Sequence, residues 1–293
     1  MHVTILTGGD SEREVSILSG KAVKKSLLNL GHQVDVIDIK NSELLSNKYF
    51  NTDMIFNALH GGVGENGIIQ SICEINKIPY TGSGVLASAL AMNKVFSKLI
   101  FKSFGINVPE GVSGIEEEII SKNNLNYPFI VKPIDGGSSI GIKIIKNKKD
   151  IDNLKLSNKE VILEPFIEGR EVSVAVFNKN ILGMIEINFS QKIYDYEAKY
   201  YSANTKYIIP KDLDDNLCDL IYDFALKAHD ALGCKGLTRA DFRLDSSNNL
   251  KPFILEINTL PGLTEHSLVP KIAKNVGINF DELILMIIED ALN

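Results

Sequence analysis

The chain has 293 residues, of which 44% are apolar and 23% charged, and a formal net charge of −6. That length exceeds what one core usually holds and implies two or three domains, while the composition excludes a disordered or fibrous chain. The acidic balance argues against nucleic acid as the partner, because phosphate backbones are bound by clustered Lys and Arg; the stretch Lys143–Lys149 reads as a solvated face.

In chain order, Val3–Leu6 is a short buried-strand run followed by Gly8 and Gly9 and a helix over Val15–Leu30, which Gly31 ends. Strands are expected at Val34–Ile39 and Met54–Leu59, so the opening has a βαβ rhythm and a parallel sheet. Ile68–Asn76 and Val85–Phe104 read as helices, with the turn-rich Pro79–Gly84 between them. Phe129–Lys132, Gly141–Ile145, Val161–Phe166 and Val172–Phe177 are β-like runs of an antiparallel α+β segment. Arg239–Leu244 and Pro252–Ile257 are two more, joined by the turn sequence Asp245–Asn249, and Phe280–Leu292 is a closing helix. The expected units are 1–88, 89–178 and 179–293.

Cys73, Cys218 and Cys234 are far apart, odd in number and without a CxxC pair. This suits a reducing compartment and argues against a disulfide framework or a thiolate zinc site. No signal peptide is read at the N-terminus, and the aliphatic run Leu283–Ile288 is too short to span a bilayer. A cytoplasmic location with no membrane partner is expected.

The sharpest local signal is Arg239-Ala-Asp241 on one predicted strand and Glu256-Ile-Asn258 on the next. Side chains alternate with period two, so each pair shares a face, and a hairpin would bring the pairs together. Carboxylate and amide oxygens so gathered suit Mg²⁺; the alternative is a surface face with one Arg–Asp ion pair. Lys132 ends a strand before the loop Pro133–Ser139, whose Gly and Ser residues offer backbone N–H groups to an anion, or simply make a hairpin turn. It is not a Walker loop. Glu164 and Glu171 flank Ile167–Arg170 and either meet a nucleoside or face solvent. Ser11-x-x-Glu14 spells a capping box, which is the reading spacing favours. Alternatively, Glu14 lies at the ligand-binding edge of the first sheet and holds an ammonium group. His60 follows the third strand on a glycine turn at the same edge. Tyr194–Tyr200 reads as a long loop of the kind that forms lids.

Taken together, GGDSEREVSILSG (8–20), ALHGGVGENG (58–67), MNK (92–94), VKPIDGGSSIG (131–141), LEPFIEGREVSVAV (163–176), YDYEAKY (194–200), GCKGLTRADFRLD (233–245) and LEINTLPGLTEHSLVP (255–270) resemble the D-alanine–D-alanine ligases of the ATP-grasp superfamily, in order and over essentially the whole chain. The resemblance implies an ATP-grasp fold, α/β and α+β, with an N-terminal parallel-sheet βαβ domain. It implies ATP-dependent joining of two D-alanine molecules through an acyl phosphate, for peptidoglycan precursor synthesis, by a homodimer. It places ATP at Lys94, Lys132, Ser139, Glu164 and Glu171, and two Mg²⁺ or Mn²⁺ ions at Asp241, Glu256 and Asn258. It gives Glu14 the amino group of the first D-alanine, with His60 beside it. Ser138, Lys199 and Tyr200 match a loop network around the substrates, Arg239 and the Gly262 backbone match the oxyanion site, and Ser267 and Leu268 match the pocket of the second carboxylate.

Two departures stand out: the first loop is one residue shorter than in many relatives, and Gly136 stands where glutamate is common. Tyr200 favours a dipeptide over a depsipeptide product. The competing readings are another carboxylate–amine ligase of the same superfamily, a non-catalytic nucleotide-binding module, and a nicotinamide dehydrogenase, which the missing G-x-G-x-x-G turn disfavours.

Overall fold

The computed structural model describes residues 1–9, 11–40, 51–137, 139–154, 156–188 and 205–293. The first strand, β1 (His2–Gly8), is buried along almost its whole length, as a strand covered on both faces must be. It pairs in parallel with β2 (Gln33–Ile39) on one side and β3 (Met54–Asn57) on the other, giving the order β2-β1-β3. Between β1 and β2 runs α1 (Arg13–Asn29), which buries Val15, Val23 and Leu27. Gly31 closes this helix at φ 81°, a left-handed position that suits glycine, and the His32 N–H donates to Leu27 O at 3.0 Å.

The capping box expected at Ser11 does not form. Glu12 occupies the N-cap with φ 41° and ψ 28°, and no side chain caps the helix. The left-handed turn at Glu12 swings Ser11 away, so that its hydroxyl donates to His60 O at 3.2 Å.

Beyond β3 come α2 (Gly62–Glu65), α3 (Ile68–Asn76), α4 (Val85–Met92) and α5 (Lys94–Ser103). The single helix expected over Val85–Phe104 is therefore two. Asn93 is extended (φ −89°, ψ 106°), and its side chain accepts from the N–H groups of Val95 (3.0 Å) and Phe96 (3.2 Å). Asparagine is a strong N-cap because its short amide competes with the backbone in this way. The break sets Lys94 at the start of α5.

Next along the chain are β4 (Val112–Ile115), α6 (Glu116–Ser121), β5 (Phe129–Pro133), β6 (Lys143–Ile145), α7 (Lys148–Asp152) and β7 (Glu160–Pro165). Their strands form an antiparallel sheet in the order β4-β7-β5-β6, with Phe129, Val131 and Leu163 at its core. The chain then passes to β8 (Gly169–Phe177), β9 (Asn180–Asn188), β10 (Lys206–Ile208), α8 (Asp215–Ala231), β11 (Leu237–Asp245), β12 (Lys251–Asn258), α9 (Leu268–Asn275) and α10 (Phe280–Ala291). Here the antiparallel order is β10-β9-β8-β11-β12. The change of sheet falls between Pro165 and Gly169, so position 178, where a unit boundary was expected, lies at the β8–β9 turn inside the last sheet.

One apolar cluster joins β1 and α1 (Val3, Ile5, Val23, Leu27) to β9, α9 and α10 (Ile185, Val269, Leu283, Ile287). Another packs α5 and α8 (Phe101, Ile221, Phe224) on the opposite face of the last sheet, against Val174, Phe242 and Ile254. No helix among the described residues is long and apolar enough to cross a membrane.

Candidate active site

The expected β11–β12 hairpin forms around its turn, with Arg239 opposite Asn258 and Asp241 opposite Glu256. A bulge between Asp241 and Phe242 follows, a device that re-aims side chains near functional sites. Arg239 donates to both Asp241 oxygens, Nε to Oδ1 at 2.8 Å and Nη2 to Oδ2 at 2.7 Å, and Ser173 Oγ donates to Oδ1 at 2.6 Å. Asp241 is only 9% exposed, so this is not a solvated surface pair. Lys94 Nζ lies 3.3 Å from Glu256 Oε2 and donates to Gly136 O at 2.7 Å, which ties α5 to β12 and to the glycine loop. The Asn258 side-chain oxygen accepts from Leu260 N at 2.8 Å.

Two cavities open onto this hairpin. The first is a slot between the two antiparallel sheets, lined by Ile130, Ile142, Phe166, Ile187 and Leu255 together with Lys132, Ser139, Glu164, Glu171 and Asp241. A slot that combines apolar walls with charged groups suits a base and its phosphates. The second lies between the hairpin and the edge of the parallel sheet, and is lined by Glu12, His60, Glu65, Gly137, Asn258, Gly262, His266 and Ser267. Lys94, Arg239, Glu256 and Leu268 line both, so the cavities meet at the charged end of the hairpin.

Inside the slot, Glu164 is 2% exposed, which excludes the solvent-facing alternative. Its two oxygens are held by two ammonium groups: Lys132 on Oε2 at 2.7 Å, and Lys98 on Oε1. Burial pushes Lys98 down to about 7, with repulsion from Lys132 adding to it. Burial alone would raise the Glu164 carboxyl, but the two lysines reverse that and leave it below its ordinary value. Sequence reading missed Lys98, although it sits four residues after Lys94 on the same helical face. Ser139 lines the slot at φ 58°. Glu171 accepts from Arg243 at 3.1 Å.

At the second cavity the structure corrects one position. Glu14, expected to hold an ammonium group, is exposed on the first turn of α1 and does not line the cavity. Glu12 lines it instead, and a Cβ added at Gly137 would stand 2.8 Å from Glu12 Oε1. Among the described residues the Glu12 carboxylate has no hydrogen-bond or ion-pair partner, so its charge faces the cavity. The left-handed N-cap is the reason: it turns the side chain at 12 inward and leaves that at 14 on the outer face.

His60 is 6% exposed, with Nε2 3.1 Å from Ser19 Oγ and Nδ1 3.7 Å from Glu65. Ser19 Oγ also accepts from Leu263 N at 3.2 Å, so the histidine is anchored to the segment carrying Gly262. Ser267 is the N-cap of α9, but its hydroxyl serves Thr264 (2.8 Å to Oγ1) rather than the helix. The Ser267 side chain therefore leaves the first-turn N–H groups uncapped (Pro270 having none), and Ser267 and Leu268 line the cavity where a helix start can seat a carboxylate. Ser138, Lys199 and Tyr200, with the rest of the expected lid, lie outside the described residues.

The candidate donor set for a divalent cation is two carboxylates and one amide. Among the described residues no three His, Cys, Asp or Glu side chains cluster. Asp241, Glu256 and Asn258 carry hard oxygen donors on adjacent rungs of one hairpin face, which fits Mg²⁺ sharing its remaining positions with phosphate and water.

Comparisons with known proteins identify the family. Residues 100–289 match the family model described as D-ala D-ala ligase C-terminus, and residues 43–83 match D-ala D-ala ligase N-terminus. A D-alanine–D-alanine ligase from Wolbachia sp. subsp. Drosophila simulans (strain wRi) is 46% identical over 297 residues, covering 99% of this chain and 93% of its own. The crystal structure of D-alanine–D-alanine ligase from Bacillus anthracis complexed with ATP superposes with a TM-score of 0.85 at 31% identity, covering 100% of this chain and 97% of that one. The VanG D-Ala:D-Ser ligase from Enterococcus faecalis superposes at 0.81 and 28% identity, covering 99% of each. The fold is thus that of an ATP-grasp enzyme. Within that class, the chain belongs to the D-alanine–D-alanine ligase family.

Proposed function

We propose that this chain joins two D-alanine molecules at the expense of ATP, with the nucleotide in the slot between the antiparallel sheets and the amino acids in the adjoining cavity. The observation that carries this reading is the shared wall: Lys94, Arg239 and Glu256 border both cavities, so a terminal phosphate in one can meet a carboxylate in the other.

A carboxylate is a poor electrophile. Transfer of the γ-phosphoryl group to an oxygen of the first D-alanine gives an acyl phosphate and ADP. The amine of the second D-alanine then attacks the carbonyl, loses a proton, and expels phosphate. Lys94 and Lys132 offset the charge on the transferring group, since such reactions rest on positioning and electrostatics. Asp241, Glu256 and Asn258 would hold Mg²⁺, which screens the phosphate oxygens when bound. Glu12 takes the ammonium group of the first D-alanine. The open first turn of α9, with Ser267, takes the carboxylate of the second. Arg239 and the Gly262 N–H face the tetrahedral oxyanion, a contribution of about 3–4 kcal/mol for one such donor in other enzymes. As the resemblance implies, the reading extends to a homodimer in the cytoplasm.

The test is product analysis with ATP, Mg²⁺ and D-alanine, and with D-serine or D-lactate as the second substrate. D-Alanyl-D-alanine with stoichiometric ADP and phosphate is expected. ATP turnover that responds only to D-lactate or D-serine would overturn the choice of acceptor, and no turnover with any of them would overturn the reading.

A further inference from the structure

Arg239, Asp241 and Arg243 alternate along β11 and so share the face that lines the slot. The first two belong to the hairpin site already described. Arg243 has no part in it, yet it is only 8% exposed. Its guanidinium makes three contacts. Nε donates to Ile167 O at 3.1 Å, Nη1 donates to Glu171 Oε2 at 3.1 Å, and the guanidinium carbon lies 5.5 Å from the centre of the Phe166 ring. All three partners line the slot; Phe166 and Ile167 belong to the short connection that carries the chain from β7 in one sheet to β8 in the other, and Glu171 lies at the start of β8, directly across the ladder from Arg243. Two of these contacts need donors pointing in different directions from one planar group, and the third needs a flat cation over a ring. Arginine supplies both; lysine does not.

We propose that Arg243 is a positioning residue for the nucleotide. It ties Phe166 and Ile167 of the connection to Glu171 at the start of β8 so that this wall of the slot meets the nucleoside end of ATP in one conformation. The inference rests on the nucleotide occupying this slot. Arg243 makes no contact with the phosphate end: Lys94 and Lys132 stand there, and the carboxylates of Asp241 and Glu256 are held by other cations. Its effect therefore falls on nucleotide binding and leaves the chemical step nearly alone.

The experiment is steady-state kinetics of the full chain carrying Arg243→Met or Arg243→Lys, with direct ATP titration and thermal melts alongside. Arg243→Met is expected to raise KM for ATP about tenfold or more, the loss of one charged hydrogen bond, with kcat and KM for D-alanine changed less than about threefold. Arg243→Lys, which keeps the charge but not the forked donors, is expected to show the same split at smaller size and serves as the test should the methionine variant fail to fold. Combining Arg243→Met with Glu171→Gln is expected to give less than the product of the two single effects, because the residues act as one unit. An unchanged KM for ATP in a folded variant overturns the proposal. So does a parallel rise for ATP and D-alanine, or a lower melting temperature as the only change. A wild-type chain that makes no product from ATP and D-alanine would instead defeat the underlying reading.

Discussion

Arg239 and Asp241, two residues apart on one strand, close a two-point ion pair at 2.8 and 2.7 Å in which both carboxylate oxygens are engaged. Intra-strand neighbours at this spacing face the same way, so the pair is built into the strand's periodicity. The guanidinium proposed for the oxyanion and a carboxylate proposed for the metal thus hold each other in place. Changing either one disturbs both roles.

For this reason Asp241→Asn is expected to abolish ligation while leaving a folded chain. The amide keeps an acceptor for Arg239 and Ser173 but loses the charge. A turnover loss of at least about 10³-fold is expected, since several kcal/mol of charge stabilisation go with the metal. Glu256→Gln, which also unpairs Lys94, is expected to behave alike. Phosphate release at saturating ATP and D-alanine, with circular dichroism as the folding control, decides the point. Near-normal turnover in either variant would remove these residues from the metal site.

Glu12 and Glu14 separate cleanly. Glu12→Gln is expected to raise KM for D-alanine about 10- to 100-fold, the range of a lost hydrogen bond to a charged group. Glu14→Gln, on the exposed face of α1, is expected to change it less than about twofold. The reverse order would return the ammonium site to position 14.

The Lys98–Glu164–Lys132 cluster makes stability depend on pH in two windows. Lys98 sits at about 7 when folded against 10.5 when unfolded, so between these values the unfolded chain holds more protons and stability rises with pH. Wild type should therefore gain melting temperature relative to Lys98→Met from about pH 7 to about pH 9, with the gap between them constant below that. Glu164 acts at the other end. Its folded carboxyl lies below the ordinary 4.5, so its stabilisation is present above 4.5 and is lost as the pH falls through the folded value. A melting difference that stays level from neutral to alkaline pH would show that Lys98 remains charged.

Gly169 starts β8 at φ 151°, and a Cβ there would stand 1.8 Å from Leu244 O and 2.9 Å from Ser246 N. Both are backbone atoms and cannot swing aside. Gly169→Ala is expected to destabilise by about 2–4 kcal/mol, the range for backbone strain combined with a steric clash. A urea midpoint measures this, and an unshifted midpoint would mean that the β8–β11 ladder yields locally.

Elements that announced themselves in the sequence were those with a periodic pattern and punctuation. The opening βαβ unit, the helix at Ile68–Asn76 and the β11–β12 hairpin emerged with bounds within a few residues of those found. The hairpin register was legible because its chemistry alternates with period two. The break at Asn93 was not, because apolar residues continue on both sides and only the capping bonds reveal it. β9 and α9 escaped notice, as did α8, although Asp214 caps α8 and its apolar residues follow helical spacing. At the site, Glu12 was passed over because its inward aim comes from a left-handed backbone turn that spacing does not encode. Lys98 and Arg243 matter through partners 66 and 72 residues away, which no local pattern reports.

The apolar cluster that joins β1 and α1 to α10 has a bearing on synthesis. The residues that cover Leu27 and Val23, among them Leu283 and Ile287, lie more than 250 residues further along the chain and leave the ribosome well after them. Until they emerge, the first-made helix presents an uncovered greasy flank. A fragment that carries the opening βαβ unit without α10 keeps that flank uncovered, so the two are expected to depend on each other.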